Sequence, residues 1–146
     1  GIIARKYDIR WDTPNGVRAD TLSLDLLKKC AQTGCTFLIL GVESGVQRVL
    51  DDVICKNTKI EDIEKVASLA QKAKVNTRAF YLIGTPGETA IEINSTVTHA
   101  IKMIKEYDCF GSIGIVTPLY GTRVYENAIR NGYLIKEMTS ENIARG

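Results

Sequence analysis

Four times along its length the sequence passes from a short apolar run into a longer stretch of helical spacing, and this alternation limits the chain to a parallel α/β fold. Parallel strands cannot be joined by tight turns, so each run needs a crossover before the next can pair with it. The runs that predict strands are 6–11, 36–42, 77–83 and 112–117, two of them nearly continuous in apolar residues, as suits a sheet with a helix-covered face. The helices are better marked. Within 23–33, Leu24, Leu27 and Ala31 recur at helical spacing, and Gly34 stands where a left-handed C-terminal cap would fall. Thr58-x-x-Glu61 and Thr89-x-x-Glu92 match capping boxes, in which hydroxyl and carboxylate satisfy orphan N–H groups at a helix start. The first box leads into a helix expected to bury Ile63, Val66, Ala67 and Ala70. The second leads into one expected to bury Ile93, Val97, Ala100, Ile101 and Ile104. A shorter helix after Thr122 presents Val124, Ala128 and Ile129 and stops at Gly132.

A closed eight-fold α/β barrel takes roughly 250 residues. Four strand–helix units in 146 residues therefore predict an open sheet, or about half a barrel, in one domain. The absence of an initiator Met adds the expectation that this is part of a longer chain.

Charge excludes some partners. Nineteen basic and seventeen acidic residues leave +2, too balanced to indicate nucleic acid or a membrane surface. The longest uncharged stretch, Cys109 to Thr122, is about 14 residues and falls short of a membrane span. No secretory signal is visible, and Cys30, Cys35, Cys55 and Cys109 lack C-x-x-C spacing, which argues against a disulfide scaffold or zinc site and for a reducing, cytoplasmic setting.

In parallel α/β folds ligands meet the C-terminal edge of the sheet, where loops stand above a rigid base. Every loop expected there combines glycine with a polar or charged group: 11–20 after the first strand, Gly41-Val42-Glu43-Ser44-Gly45 after the second, Gly84-Thr85-Pro86-Gly87-Glu88-Thr89 after the third, and Thr117-Pro118-Leu119-Tyr120-Gly121-Thr122 after the fourth. Glu43, at a strand end, either accepts hydrogen bonds from a ribose diol or favours a short helix at 46–52 through its dipole. Glu88 has the same two readings. Arg18 either forks a carboxylate bidentately or forms a surface ion pair with Asp20. Phosphate-cradling motifs are absent, and carboxylates in these loops would repel a phosphate. The single His99 lies within a predicted helix, where a surface or boundary role is expected, and without a second imidazole the triad hydrolases are disfavoured. Asn94-Ser95-Thr96 matches a glycosylation sequon by chance.

Taken in order, Arg18-x-Asp20, Gly41-Val42-Glu43-Ser44-Gly45 followed by Gln47-Arg48-Val49-Leu50-Asp51, Gly84-Thr85-Pro86-Gly87-Glu88-Thr89 and Pro118-x-x-Gly121-Thr122 resemble the later part of a radical SAM core domain, over roughly residues 5 to 135. The resemblance is to the Fe–S oxidoreductases of that superfamily often fused to a cobalamin-binding domain. It implies an open, TIM-barrel-like domain of six strand–helix units, of which this chain supplies the third to the sixth. The implied activity of the intact enzyme is reductive cleavage of S-adenosylmethionine to a 5′-deoxyadenosyl radical, acting on a small-molecule substrate. The implied 4Fe–4S cluster would be held by a C-x-x-x-C-x-x-C loop upstream in the same polypeptide, a triad that Cys30, Cys35, Cys55 and Cys109 do not match, so this chain alone is expected to be inactive. For the S-adenosylmethionine pocket the resemblance implies Glu43 and Ser44 at the ribose or methionine part, Arg18 at the carboxylate or a nearby acid, and Gly84, Pro86, Gly87 and Glu88 on the adenine side, with Pro118 in the last loop. Leu119-Tyr120 and Lys56-Asn57 depart from the family pattern of a second proline and of Lys-Gly.

Two other readings remain open on the residues alone. One is a barrel lyase or aldolase in which Asp20, Glu43 and Glu88 gather Mg²⁺ or Mn²⁺. The other is a non-catalytic half-barrel that associates through uncovered strand edges; in a half-barrel of either kind such edges are expected to be shielded by self-association into a homo-oligomer or by local rearrangement.

Overall fold

The computed structural model describes residues 1–134 and 139. Its elements are α1 (Ile2–Arg5), β1 (Trp11–Val17), α2 (Leu24–Gln32), β2 (Cys35–Glu43), α3 (Ile60–Ala73), β3 (Asn76–Ile83), α4 (Ala90–Tyr107), β4 (Cys109–Ile115) and α5 (Arg123–Arg130), with a 3₁₀ turn at Ala19–Thr21 and a π turn at Val49–Val53. The four strands form one sheet in the order β1-β2-β3-β4, every pair parallel. Consecutive strands are thus neighbours, and α2, α3 and α4 line up on one face, as in a barrel wall and unlike a doubly wound sheet.

The sequence pattern produces that layer directly. Along β2 the buried positions are Leu38, Leu40 and Val42, and along β3 they are Thr77, Ala79 and Tyr81, the period of two expected when one face is covered. Against them pack Ile63, Val66 and Ala67 of α3 and Ala100 and Met103 of α4, while Leu27 and Cys30 of α2 meet Leu38, Ala70 and Val75. The α3 face is the one the spacing predicts.

Several expectations are corrected. The first strand is not 6–11 but Trp11–Val17, a stretch whose Pro14, Asn15 and Gly16 read as a loop. It is an edge strand, and the register slips between Thr13 and Val17, so a bulge absorbs residues that a central strand would not tolerate. The fourth strand begins at Cys109 rather than Ser112, because Cys109 pairs with Thr77 at the start of β3. In α2, Cys30 takes the buried position expected of Ala31, which is exposed.

The face of α4 is also rotated. Thr96, His99, Ala100 and Met103 are buried, whereas Ile101 and Ile104 are 46% and 40% exposed. Small and polar residues win that face for two reasons. A methyl on Gly111 would lie only 3.2 Å from Ala100 Cβ, so the helix and β4 approach more closely than isoleucine permits. Tyr81, buried in the sheet, needs a partner for its hydroxyl, and His99 Nδ1 lies 2.9 Å from it. His99 is therefore a buried residue, 8% exposed, not a boundary one.

Of the two predicted capping boxes, only the one at Thr89 forms. The helix after Thr58 starts one turn-position later, with Lys59 as its cap, and the Thr58 hydroxyl is buried without a partner. Gln47 does the capping from a distance: its Oε1 accepts from Ile60 N–H at 3.1 Å, and its Nε2 donates to Thr58 O at 3.1 Å. All four cysteines are free, and among the described residues no helix is long and apolar enough to cross a membrane.

Candidate functional site

The C-terminal sheet edge gathers the loops in which the sequence placed its unusual residues. Glu43 ends β2 in the left-handed region, at φ 67°, a conformation that costs a non-glycine residue energy. The turn sends its carboxylate toward Lys56, whose Nζ donates to Glu43 Oε1 at 2.9 Å and to Gly41 O at 2.7 Å. Both side chains are about four-fifths buried, at 20% and 19% exposed. Lys56 reaches this point because the π turn closes with Cys55 at φ 56°, after which Lys56 N–H donates to Leu50 O at 2.8 Å.

Around this pair lies a cleft of about 430 Å³, a size suited to a small molecule. Its walls are apolar: Val53, Ile54, Leu82, Val116 and Val124. Glu43, Lys56, Thr85 and Arg123 supply the polar rim. A second hollow of about 240 Å³ shares Glu43 and continues along the uncovered sheet face past Gly41, Ile39 and Phe80 to Pro14 and Gly16. Glu43 thus stands between two hollows, with one carboxylate oxygen engaged by Lys56. A further groove of about 430 Å³, lined by Gln47, Asp51, Asn57 and Thr58, lies apart from Glu43, and its Gln47 is committed to capping α3.

The loop after β3 forms the cleft's other shoulder. Gly84 and Gly87 adopt φ 80° and 96°, and Glu88 Oε2 accepts from the N–H groups of Gly84 at 2.8 Å and Thr85 at 3.2 Å. Glu88 therefore holds its own loop, while its Oε1 is buried with no hydrogen-bond partner. Pro86 lies half-buried in this loop, and Pro118 half-buried beyond β4; neither lines the cleft.

Arg18 and Asp20 form a forked ion pair, with Nε to Oδ1 at 3.0 Å and Nη2 to Oδ2 at 2.7 Å, and Arg18 Nη2 also donates to Asn57 O. The hydrogen bonds between the two side chains raise the Arg18 guanidinium pKa and lower that of the Asp20 carboxyl. Arg18 thus reaches the segment carrying Lys56 but not the cleft. Ser44 is fully buried on the helix side: its hydroxyl lies 3.0 Å from Thr96 Oγ1 and accepts from Val46 N–H at 3.1 Å. It fastens the Glu43 turn to α4 and lines neither of the hollows beside Glu43.

Of the eight residues singled out from the sequence, only Glu43 lines the cleft; Gly84, Pro86, Gly87 and Glu88 shape the loop that contributes Thr85 to it, and Arg18, Ser44 and Pro118 lie outside. Sequence reasoning missed Lys56, Arg123 and the apolar walls. The only signal for Lys56 was its place in a motif-like segment, since nothing local shows that it folds back on Glu43.

The donor sets decide which inorganic groups fit. Asp20, Glu43 and Glu88 are engaged with Arg18, Lys56 and two backbone N–H groups respectively, so the divalent-metal arrangement expected as an alternative does not form. Among the described residues no three His, Cys, Asp or Glu side chains come together to hold a metal ion. The cysteines do not fit an iron–sulfur cluster either. Cys30 sits in α2, Cys35 and Cys109 begin strands at the opposite sheet edge, and only Cys55 lies at the cleft. Burial pushes the thiols of Cys30 and Cys109 up and that of Cys35 to about 11, away from the thiolate a cluster requires.

No protein-family model matches the chain. It is 31% identical over 128 residues to an uncharacterized methyltransferase of Pyrococcus horikoshii, a match covering 88% of the chain and 27% of that protein. It is 26% identical over 141 residues to cytidylyl-2-hydroxyethylphosphonate methyltransferase of Streptomyces wedmorensis, covering 91% of the chain and 26% of the relative. The chain spans about a quarter of the length of these curated relatives. Among solved structures, the archaeal Methanocaldococcus infernus Elp3 lacking its N-terminus superposes with a TM-score of 0.62 at 21% identity, over 80% of the chain and 27% of that structure. The radical S-adenosylmethionine methyltransferase TsrM of Kitasatospora setae, with cobalamin and a 4Fe–4S cluster bound, superposes with a TM-score of 0.66 at 18% identity, over 81% of the chain and 24% of that structure. Both share its fold.

Proposed function

We propose that this chain, which shares its fold with a radical S-adenosylmethionine methyltransferase and is similar in sequence to two methyltransferases, belongs to the radical SAM superfamily, and that its C-terminal sheet edge binds the nucleoside of S-adenosylmethionine within a larger enzyme that transfers a methyl group. The observation that carries this is Glu43, held at φ 67° beside an apolar cleft of about 430 Å³. A nucleoside needs what is present there: apolar walls for a flat base, and an ionised acceptor for the hydroxyls of the ribose. Lys56 fixes Oε1, which leaves Oε2 to accept from a hydroxyl. The walls from Val53, Ile54, Leu82 and Val116 take the adenine and keep water from it, and the 84–88 loop closes one side.

Bound S-adenosylmethionine supplies the activated methyl and adenosyl groups; this chain's residues bind and orient it. Methyl transfer is the reaction class because both curated relatives are named methyltransferases. The cysteines here fit no cluster, so the ligands of a 4Fe–4S cluster belong to other parts of the polypeptide, as would a cobalamin site like that of TsrM. The same further polypeptide, or a second copy, covers the open sheet face. The substrate is a small molecule that meets the C-terminal sheet edge.

Calorimetric titration with S-adenosylmethionine tests the reading. Glu43→Gln, which keeps an acceptor for Lys56 but loses the charge, is expected to weaken binding by about tenfold or more. Equal affinity in the two proteins would sink the assignment of the ribose to Glu43.

A further inference from the structure

The segment after Glu43 does more than turn the chain. Arg48 lies in the short helix that follows it, and its guanidinium forks Glu92 of α4, with Nε to Oε1 at 2.5 Å and Nη2 to Oε2 at 2.7 Å. The same Nη2 donates to Gly87 O, in the loop after β3, at 3.1 Å. One side chain therefore ties together the turn that carries Glu43, the loop that shoulders the cleft, and the first turn of the helix that follows.

Each end of this tie is well held. Glu92 completes the capping box, accepting from the N–H and the hydroxyl of Thr89 at 2.9 Å and 2.8 Å. The Arg48 hydrogen bond, followed by those of Thr89, lowers its carboxyl to about 2, so both partners of the fork are charged at neutral pH. The loop's own hydrogen bonds all involve Glu88, whose Oε2 accepts from Gly84 and Thr85 N–H and whose N–H donates to Thr85 O. Among the described residues, Arg48 supplies the one hydrogen bond that reaches the 84–88 loop from elsewhere in the chain.

We propose that Arg48 is a positioning residue for the cleft: it fixes the 84–88 loop against the Glu43 turn, and ligand affinity depends on a guanidinium that does not line the site. This rests on the nucleoside reading above. The requirement is for arginine, because only a planar fork can satisfy both Glu92 oxygens and the Gly87 carbonyl together.

The test compares the protein with Arg48→Lys, Arg48→Gln and, breaking the tie from its other end, Glu92→Gln. Amide hydrogen exchange is read at Gly84 and Thr85 by NMR, with Val66 and Ala67 in α3 as controls, alongside calorimetric titration with S-adenosylmethionine. Exchange at Gly84 and Thr85 is expected to be about tenfold faster in all three variants, with affinity weaker by a similar factor and the α3 amides unchanged. Unchanged exchange at Gly84 and Thr85, full rescue by lysine, or faster exchange with unaltered affinity would each overturn the proposal. If the parent protein fails to bind S-adenosylmethionine, the nucleoside reading falls, and so does the affinity half of this proposal, while the exchange measurement still decides whether Arg48 fixes the loop.

Discussion

The two faces of the sheet are built from alternate residues of the same strands, yet they share almost nothing in environment. On the helix side Leu40 is fully buried, while Phe80, one strand over and facing the other way, is 38% exposed. The helix side carries the packing: aliphatic residues of β2 against Ile63, Val66 and Ala67 of α3, with Ala100 and Met103 of α4 in the same cluster. The open side carries Phe37 stacked under Arg78 at 4.4 Å, Ile39, Gly41 and Phe80, and ends at Glu43. The residues that build the core and those that line the open face are thus separated by a period of two, and a shift of one residue in register would exchange them.

The largest difference between the faces should appear on truncation. Leu40→Ala removes a fully buried side chain that the helices cannot close over, and is expected to cost about 2–5 kcal/mol. Phe80→Ala deletes more atoms but is expected to cost less, about 1–2 kcal/mol, because more than a third of that residue already meets solvent. Denaturant unfolding of both variants measures the contrast. Equal losses would mean that the open face is covered in solution, and a loss for Phe80→Ala that grows with protein concentration would show a second copy doing so.

The next effect tests how the Glu43 turn is pinned to the covered side. A methyl on Gly45 would lie 2.5 Å from His99 Cβ and 3.0 Å from Thr96 Cα, contacts with helix atoms that cannot swing away. Gly45→Ala is therefore expected to destabilise by about 1–3 kcal/mol through overpacking. A neutral result in the unfolding midpoint would show that the turn floats free of α4, against the Ser44 to Thr96 contact.

The same separation explains what could be read without coordinates. The covered side was legible where its pattern was strictly apolar: Ile63, Val66, Ala67 and Ala70 of α3 all fell as the spacing predicts. It failed in α4, where periodicity favoured Ile101 and Ile104 but the buried face went to residues that satisfy Tyr81 and Ser44, partners in distant strands and loops. Edge strand β1 was hidden by Pro14, Asn15 and Gly16, since turn residues and bulge residues look alike in sequence. Glu43 was legible because a carboxylate ending an apolar run is unusual. Lys56 and Arg48 were not, because their roles are contacts with residues 13 and 44 positions away. Thr58 misled for the same reason in reverse: a locally plausible capping role was displaced by burial.

The smallest effect is a pH dependence that belongs to the covered side alone. His99 is enclosed by Tyr81 from β3 and by Glu64 of α3, with Lys102 of its own helix bonded to Glu64 at 2.6 Å. Its Nε2 lies 3.3 Å from Glu64 Oε1 but is not aligned for a hydrogen bond. Burial lowers its pKa from the ordinary 6.5, outweighing the attraction of Glu64, while Lys102 adds to the lowering. The unfolded chain therefore takes up the proton first as pH falls, so stability is full above the ordinary value and declines as pH drops through it, levelling once the folded state is protonated too. Urea midpoints measured from about pH 8 to about pH 5 should show this decline, and His99→Gln, which retains a partner for Tyr81, should flatten it. A midpoint that rises on acidification would mean that Glu64 captures the protonated imidazole, making this contact an ion pair that fastens α3 to α4 rather than a neutral ring buried between them.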